Sequence, residues 1–215
     1  MTTPYLIFPV EGADVPTIAE YLLTCKLRLT INRLLYADWP NETVQRRQCN
    51  KAVQGGFDDP NTENLKVVDV ASGALVGYLG LTRKYPPKAD QPGGGGDKDS
   101  DVPEIFVPHV YKAVVKSVGE VLEETNKTDH FDVTYILVKP SYRRRGIGSQ
   151  LMREAFARAE AAGIPLNALC EPAAYEFFAG QGLKETKQCD VDLSKWAPSG
   201  SGFGNFRFRG MVWSK

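Results

Sequence analysis

The sequence predicts a mixed α/β domain built around one central sheet, and three observations lead to this prediction. Short apolar runs with strand character are interspersed with segments whose apolar residues recur at helical spacing. A glycine-containing loop separates one such strand from a helix, and a second strand follows, which is the order of a parallel crossover unit. The length of 215 residues fits a single domain, residues 1–215, that carries an insertion.

The first part of the chain predicts a strand, two helices and a hairpin. In chain order these elements are a strand at 5–10, helices at 15–35 and 42–54, and strands at 65–70 and 74–81. Prolines bound the first strand, which is typical of a sheet edge. The second helix is predicted to stop at Gly55-Gly56, and Ala71-Ser72-Gly73 indicates an antiparallel turn.

An insertion is predicted between the hairpin and the crossover unit. Residues 85–101 contain Pro86-Pro87, four consecutive glycines and a cluster of charges, so we expect a mobile loop. Residues 104–125 place valines and leucines on one helical face and predict an inserted amphipathic helix. A helix that covers part of the core is favoured over a dedicated substrate lid.

The second part of the chain predicts the crossover unit and a closing pair of strands. Its elements are a strand at 131–138, a helix from 147 to about 163, a strand at 166–170, a short helix from 172, and strands at 183–193 and 207–213. Strand, loop, helix and strand in this order place the loop at the carboxyl end of the sheet.

Composition excludes several classes of function. Lys and Arg together number 26, as do Asp and Glu, so no global field favours nucleic acid or an anionic membrane, and we expect neither as a partner. The four cysteines are widely spaced, which predicts a reduced, cytoplasmic protein. No apolar run approaches the roughly 18 residues of a membrane span, so we expect none. Two distant histidines without clustered cysteines predict no metal site.

The loop Arg143-Arg144-Arg145-Gly146-Ile147-Gly148 has the chemistry of an anion site. Its N–H groups can converge ahead of the following helix, where the helix dipole favours phosphate, and the arginines add positive charge. A P-loop would need Gly-Lys-Ser/Thr, but Ser149-Gln150 follows Gly148, and the dinucleotide pattern GxGxxG is missing. The alternative is a capped helix with solvated arginines.

The loop resembles the Arg/Gln-x-x-Gly-x-Gly/Ala signature of the GNAT superfamily of N-acetyltransferases. The strand end Ile136-Leu137-Val138-Lys139-Pro140 precedes it, and Ala174, Phe177-Phe178 and Gly182-Leu183 occupy the places of the family's downstream signature. The agreement extends over residues 131–185. The resemblance implies a GNAT-like fold, in which a mostly antiparallel twisted sheet flanked by helices contains one parallel pair splayed around the cofactor.

The resemblance also implies acetyl-CoA as co-substrate, with the pantetheine arm on the edge of one parallel strand and the pyrophosphate on the glycine loop. The cofactor-binding residues that it implies are Ile136, Leu137, Val138, Arg143, Arg144, Arg145, Gly146, Ile147, Gly148, Ser149 and Phe178. A backbone N–H near Leu137 or Val138 would stabilise the oxyanion.

Catalytic groups are implied less directly. Counting back from Gly146 places Asp132 where some family members carry a carboxylate base, although a solvated strand-edge aspartate is an equal alternative. His130 has the better intrinsic pKa for a base, and a water chain could serve either residue. The family's tyrosine is replaced by Phe178, and Tyr175, three residues earlier, could substitute as the proton donor.

We therefore expect an N-acetyltransferase that moves an acetyl group from acetyl-CoA to an amine by direct attack in a ternary complex, as a monomer or homodimer. The alternative is a degenerate module that binds CoA or acyl-CoA without turnover. We expect the acceptor to be determined by the segment between the first two helices, which includes Asp38-Trp39-Pro40, and by the inserted helix. Neither segment contains a motif that identifies the amine.

Overall fold

The computed structural model describes residues 4–87 and 102–215, and within these ranges it shows one seven-stranded sheet. The strands are β1 (Tyr5–Pro9), β2 (Thr62–Asp69), β3 (Leu75–Lys84), β4 (His130–Val138), β5 (Leu166–Cys170), β6 (Lys184–Asp192) and β7 (Asn205–Trp213). Their spatial order is β1-β2-β3-β4-β5-β7-β6, and every neighbouring pair is antiparallel except β4 and β5. The predicted fold class is confirmed.

Helices cover both faces of this sheet. They are α1 (Val15–Lys26), α2 (Asn32–Leu35), α3 (Glu42–Asp58), α4 (Pro108–Leu122), α5 (Ile147–Ala162) and α6 (Tyr175–Gly180). Leu79 and Leu81 of β3 pack in one cluster with α5, whereas Tyr78 packs with α1 and α3. Because successive strand residues point to opposite faces, α5 lies on the face opposite α1 and α3.

The single helix predicted over 15–35 is wrong, because the chain leaves the helix after Lys26. The N–H groups of Arg28 and Leu29 bond three residues back, at 3.1 and 3.2 Å, so the last turn tightens. The Asn32 side chain donates to the Lys26 carbonyl at 2.8 Å. This hydrogen bond gives the carbonyl at the end of the helix a partner outside it. The two helices α1 and α2 result.

The predicted end of the second helix at Gly55-Gly56 is also wrong, since α3 continues through both glycines to Asp58. Phe57 packs against the cluster formed by α1 and α3, and the Gln54 side chain donates to Asp58 at 2.8 Å. Tertiary packing here outweighs the weak helix propensity of glycine.

The inserted segment contributes α4, which begins at Pro108 inside the predicted range 104–125. Its residue Val121 is buried with Phe206 and Phe208 of β7, so the helix covers the core at that end of the sheet. Of the predicted mobile loop over 85–101, residues 88–101 lie outside the described residues.

The first turn of α5 approaches the sheet directly over Gly77 of β3. A Cβ atom at Gly77 would lie 2.8 Å from Ile147 Cγ2 and 3.2 Å from the Val67 side chain. We therefore expect Gly77→Ala to lower the free energy of unfolding by about 1–3 kcal/mol in urea denaturation. Gly119→Ala is the matched control, because open space surrounds that glycine in α4 and alanine there should stabilise by about 0.5–1 kcal/mol. Equal stabilisation by both variants would contradict the close approach of Ile147.

Candidate cofactor and catalytic site

The parallel strands β4 and β5 are joined only at the start of their run. Phe131 pairs with Leu166 and Asp132 pairs with Asn167, after which no pairing continues toward the carboxyl ends. Among the described residues, the rest of β4 pairs with β3 alone, so its other edge, including Ile136–Val138, faces an opening. An unpaired strand edge of this kind can bind an extended ligand through main-chain hydrogen bonds.

A β-bulge in β4 lies close to this divergence. Gly80 pairs with Tyr135 and Leu81 pairs with Val133, which leaves Thr134 as an extra residue on β4. The Thr134 hydroxyl hydrogen-bonds the Thr82 hydroxyl at 2.6 Å and holds the bulge against β3. Bulges bend the strand that carries them and are frequent beside active sites.

The loop between β4 and α5 presents a row of unpaired amides. Arg144 and Gly146 adopt left-handed conformations, with φ of 62° and 82°, and the helix begins at Ile147 without a side-chain cap. Within the described part of the chain, no group accepts a hydrogen bond from the N–H groups of residues 144–149. The first bond into the helix is from Gln150 N–H to the Gly146 carbonyl at 2.9 Å. This arrangement is an anion-binding nest at a helix N-terminus.

The three arginines of this loop are exposed around the nest. Arg143 Nε donates to the Val138 carbonyl at 3.3 Å, so it ties the loop to the open end of β4. The Arg145 guanidinium lies 4.8 Å from the centroid of the Tyr142 ring. The site therefore combines amide donors with a local excess of positive charge, as a diphosphate would require.

Helix α6 packs closely against the start of α5. A Cβ atom at Gly148 would lie 2.9 Å from the Phe177 ring, and the Gln181 side chain donates to Ser149 Oγ at 3.0 Å. Phe178 is only 4% exposed and belongs to the core, so packing accounts for it and its predicted contact with the cofactor stays a prediction. Tyr175 is half-buried, with the Arg209 guanidinium 4.5 Å from its ring centroid.

Asp132 lies on the last paired rung before the strands diverge. Its neighbours Phe131 and Val133 pack on the α5 face, so the carboxylate points to the opposite face. Burial raises the pKa of Asp132, although His130 and Lys84 partly oppose the shift. Beside it in register, Asn167 is 2% exposed, and its Oδ1 has no hydrogen-bond partner among residues 4–87 and 102–215. A raised carboxyl pKa is the direction that a general base requires.

His130, the alternative base, is held in place by its own strand start. It is 3% exposed, and its Nδ1 lies 2.8 Å from the Thr128 carbonyl oxygen. The side chain is therefore a buried, anchored imidazole, with one ring nitrogen already engaged.

An ion pair that the sequence did not reveal crosses the carboxyl ends of the diverging strands. Lys26 at the end of α1 lies 2.9 Å from Glu171, the residue that follows β5. Burial lowers the pKa of Lys26, but the Glu171 carboxylate outweighs this effect and holds the pKa above its ordinary value. Burial also raises the pKa of Tyr135 on β4 nearby. The position of Glu171 directly after a parallel strand was a usable signal, because ligand sites gather at such ends.

Clusters of metal-ligating side chains and helices that could span a membrane are both absent from the described ranges. No three His, Cys, Asp or Glu side chains lie together in residues 4–87 and 102–215 in a way that could hold a metal ion. Over the same ranges, each helix is too short or too polar to cross a bilayer.

Comparison with known families agrees with the geometry of this site. Residues 107–184 match the sequence model described as the acetyltransferase (GNAT) domain. This range contains β4, the glycine loop, α5, β5 and α6. The predicted resemblance to the GNAT superfamily is confirmed. No curated protein sequence matches the chain.

Solved structures show the same fold over nearly the whole chain. A putative arylalkylamine N-acetyltransferase 7 from the yellow fever mosquito Aedes aegypti is 14% identical, covers 97% of this chain and 86% of its own, and has a TM-score of 0.64. Arabidopsis thaliana NAA60 in complex with a bisubstrate analogue is 10% identical over 97% of both chains, with a TM-score of 0.54. The ribosomal-protein-S18-alanine N-acetyltransferase from Escherichia coli is 15% identical, covers 98% of this chain and 95% of its own, and has a TM-score of 0.50.

Proposed function

We propose that this chain, which has the GNAT fold and carries a GNAT acetyltransferase domain match over residues 107–184, transfers an acetyl group from acetyl-CoA to an amine. The family match supports acetyl transfer in general. The observation that carries the proposal is the unpaired amide row of residues 144–149, which lies where β4 and β5 have separated. A diphosphate on that row would leave the attached arm to follow the open edge of β4.

The residues that would hold acetyl-CoA belong to two neighbouring elements. The N–H groups of residues 144–149 and the arginine side chains would bind the diphosphate, and Ile136–Val138 would pair with the pantetheine arm. Acetyl-CoA supplies a thioester whose carbonyl carbon an amine can attack. A main-chain N–H near Leu137 or Val138 would donate to the oxyanion that forms.

Proton transfers complete the proposed reaction. The amine nitrogen attacks the carbonyl carbon, Asp132 accepts the amine proton directly or through water, and the carbon–sulfur bond breaks to release the CoA thiolate. A thiol with a reference pKa of about 8.5 can leave without full protonation, so a proton from Tyr175 helps but is not essential. The buried Phe178 has no proton to give.

A module that binds CoA without turnover is the second candidate. The observation that favours it is Phe178, which is packed in the core at the position of the family's tyrosine. The two candidates share the cofactor site and differ only in whether acetyl transfer occurs.

Calorimetry and a turnover assay separate these functions. Purified protein is titrated with CoA, and acetyl-CoA is then incubated with a panel of aliphatic amines, aromatic amines and peptides while free thiol is followed. We expect CoA binding and thiol release above the hydrolysis background with at least one amine. Binding without turnover would favour the second candidate, and absence of both would refute the site itself.

A further inference from the structure

A row of polar side chains crosses four strands of the sheet at the level of the proposed base. Thr62 of β2 pairs with Thr82 of β3, and Thr82 pairs in turn with Asp132 of β4. On the far side of Asp132 the row continues to Asn167 of β5. Because residues paired across a sheet project from the same face, the four side chains lie side by side on the face opposite α5.

Hydroxyl groups join one half of this row into a continuous chain of hydrogen bonds. The hydroxyl of Thr134 in the bulge bonds the Thr82 hydroxyl at 2.6 Å, and the Thr82 hydroxyl bonds that of Thr62 at 2.9 Å. The Thr62 hydroxyl donates to Oδ2 of Asp59 at 3.0 Å. The chain therefore leads from β4 to a carboxylate at the C-terminal end of α3.

The carboxylate at the end of the chain determines the direction of every bond in it. Hydrogen bonds from the Asn61 N–H and the Thr62 hydroxyl hold the pKa of Asp59 below its ordinary value, so this group is ionised at neutral pH and only accepts. Each hydroxyl has one proton to donate, so all three threonines donate toward Asp59. The Thr134 oxygen is left as an acceptor at the β4 end of the chain.

The surroundings of the row leave one side of Asp132 with a route to solvent. Asp59 is partly exposed, whereas Thr82 is only 3% exposed, so water cannot take the place of the central hydroxyl. On the other side of Asp132, Asn167 is 2% exposed and pairs next with Val212, and neither side chain can ionise. A proton on Asp132 therefore has a hydrogen-bonded path toward α3 and none along the row toward β7.

We propose that the hydroxyl chain from Thr134 to Asp59 carries the proton that the amine gives to Asp132 out to solvent. The inference rests on the proposed function and adds the exit of its proton. The O–H bond of the protonated Asp132 carboxyl breaks as its proton passes to Thr134 Oγ1, directly or through water. The hydroxyl protons of Thr134, Thr82 and Thr62 each move one link outward, and the Asp59 carboxylate takes the last one and releases it to water. The hydroxyls then rotate back, and the Asp132 carboxylate is ready for the next amine.

Thr82→Val keeps the branched shape of the side chain but removes the central hydroxyl and interrupts the chain. With an alkyl amine as acceptor, we expect kcat to fall by at least about tenfold, because the proton loses its route. Thr82→Ser restores the hydroxyl and should recover most of kcat. Thr186→Val is the matched control, since the Thr186 hydroxyl of β6 donates to the Gly210 carbonyl at 3.1 Å and takes no part in the chain. This variant should keep kcat.

Solvent deuterium isotope effects separate proton transfer from a structural role. Several protons move together along the chain, so a plot of wild-type kcat against the deuterium fraction of the solvent should be curved, and it should become linear in Thr82→Val. Asp59→Asn keeps an acceptor for Thr62 but cannot take a proton, so it should lower kcat as Thr82→Val does. The matched control is Asp58→Asn, because the neighbouring Asp58 accepts from Gln54 and not from the chain.

Failure of the hydroxyl chain differs from failure of the proposed function. Wild-type kcat in Thr82→Val, or a linear plot for the wild-type protein, would overturn the chain and leave acetyl transfer intact. A loss of kcat in Thr82→Val with the curvature unchanged would show a structural role and overturn it as well. If Thr82→Val does not fold, Asp59→Asn at the surface decides by the same two measurements. If the wild-type protein acetylates no amine, the proposed function fails and the chain fails with it.

Discussion

Replacing Asp132 by Asn is expected to lower kcat for an alkyl amine by about 100-fold to 10,000-fold, because a positioned general base contributes that much. An alkyl amine with a pKa near 10.4 is neutral in only about one molecule in 2,500 at pH 7, so it needs the base. An amine with a pKa near 7.8 is neutral in about one molecule in seven and should lose much less. The ratio of the two losses, measured by thiol release, distinguishes a base from a residue that only supports the fold.

The same variant should not destabilise the protein at neutral pH. Burial raises the pKa of Asp132 in the folded protein, so folding favours the protonated carboxyl. The protonated carboxyl makes its full contribution to the free energy of unfolding below the ordinary carboxyl pKa of about 3.9. This contribution is lost as pH rises through the raised pKa of the folded protein. The asparagine side chain of the variant cannot ionise, so Asp132→Asn should gain stability relative to wild type as pH increases toward 7.

Asp129→Asn is the matched control, because its pKa is shifted in the opposite direction. The Arg83 side chain bonds Asp129 at 2.7 Å and lowers the pKa of that carboxyl. The ionised Asp129 carboxylate stabilises the folded protein above the ordinary carboxyl pKa. This stabilisation is lost as pH falls through the lowered pKa of Asp129. Asp129→Asn should therefore lose some stability at neutral pH and keep kcat. A normal kcat in Asp132→Asn would exclude Asp132 as the base.

Gly148→Glu should weaken CoA binding by at least about 100-fold, because a carboxylate would stand in the first turn of α5 beside the proposed diphosphate. Two like charges 4 Å apart repel by roughly 4 kcal/mol near a protein surface. This energy is larger than the free energy that corresponds to a 100-fold loss of affinity. The helix itself tolerates the change in charge, since an acidic residue in the first turn interacts favourably with the dipole. Calorimetry with CoA measures the loss.

Gly148→Gln separates charge from bulk in this experiment. Either side chain would bring a Cβ atom to 2.9 Å from the Phe177 ring, so the same displacement of Phe177 is required in both variants. The additional loss of affinity in the Glu variant therefore reports the charge alone. Equal CoA affinities for the two variants would contradict a phosphate site at Gly148.

Local sequence patterns predicted most of this architecture. The strand before Pro140, the glycine loop and the helix to Gly163 each carry their own periodicity and stop signals, and the structure shows β4, the loop and α5 there. The break after Lys26 was missed because it depends on a bond between Lys26 and the Asn32 side chain, which no periodicity encodes.

The missed parts of the site are relationships between distant residues. Lys26 and Glu171 stand 145 positions apart, and only the fold brings α1 to the end of β5. Local patterns identify elements and a backbone turn, whereas a contact such as the Lys26–Glu171 ion pair forms only when separate segments assemble.

The extra residue Thr134 determines which side chains of β4 share one side of the sheet. Asp132 and Leu137 are five positions apart, and in a strand of unbroken alternation they would point to opposite sides of the sheet. With one residue inserted between them, the carboxylate, Tyr135 and Leu137 all project toward the side of α1 and α3, while Val133 and Ile136 both project toward α5. Deletion of Thr134 would restore the alternation and place the Asp132 carboxylate and the Leu137 side chain on opposite sides of the sheet.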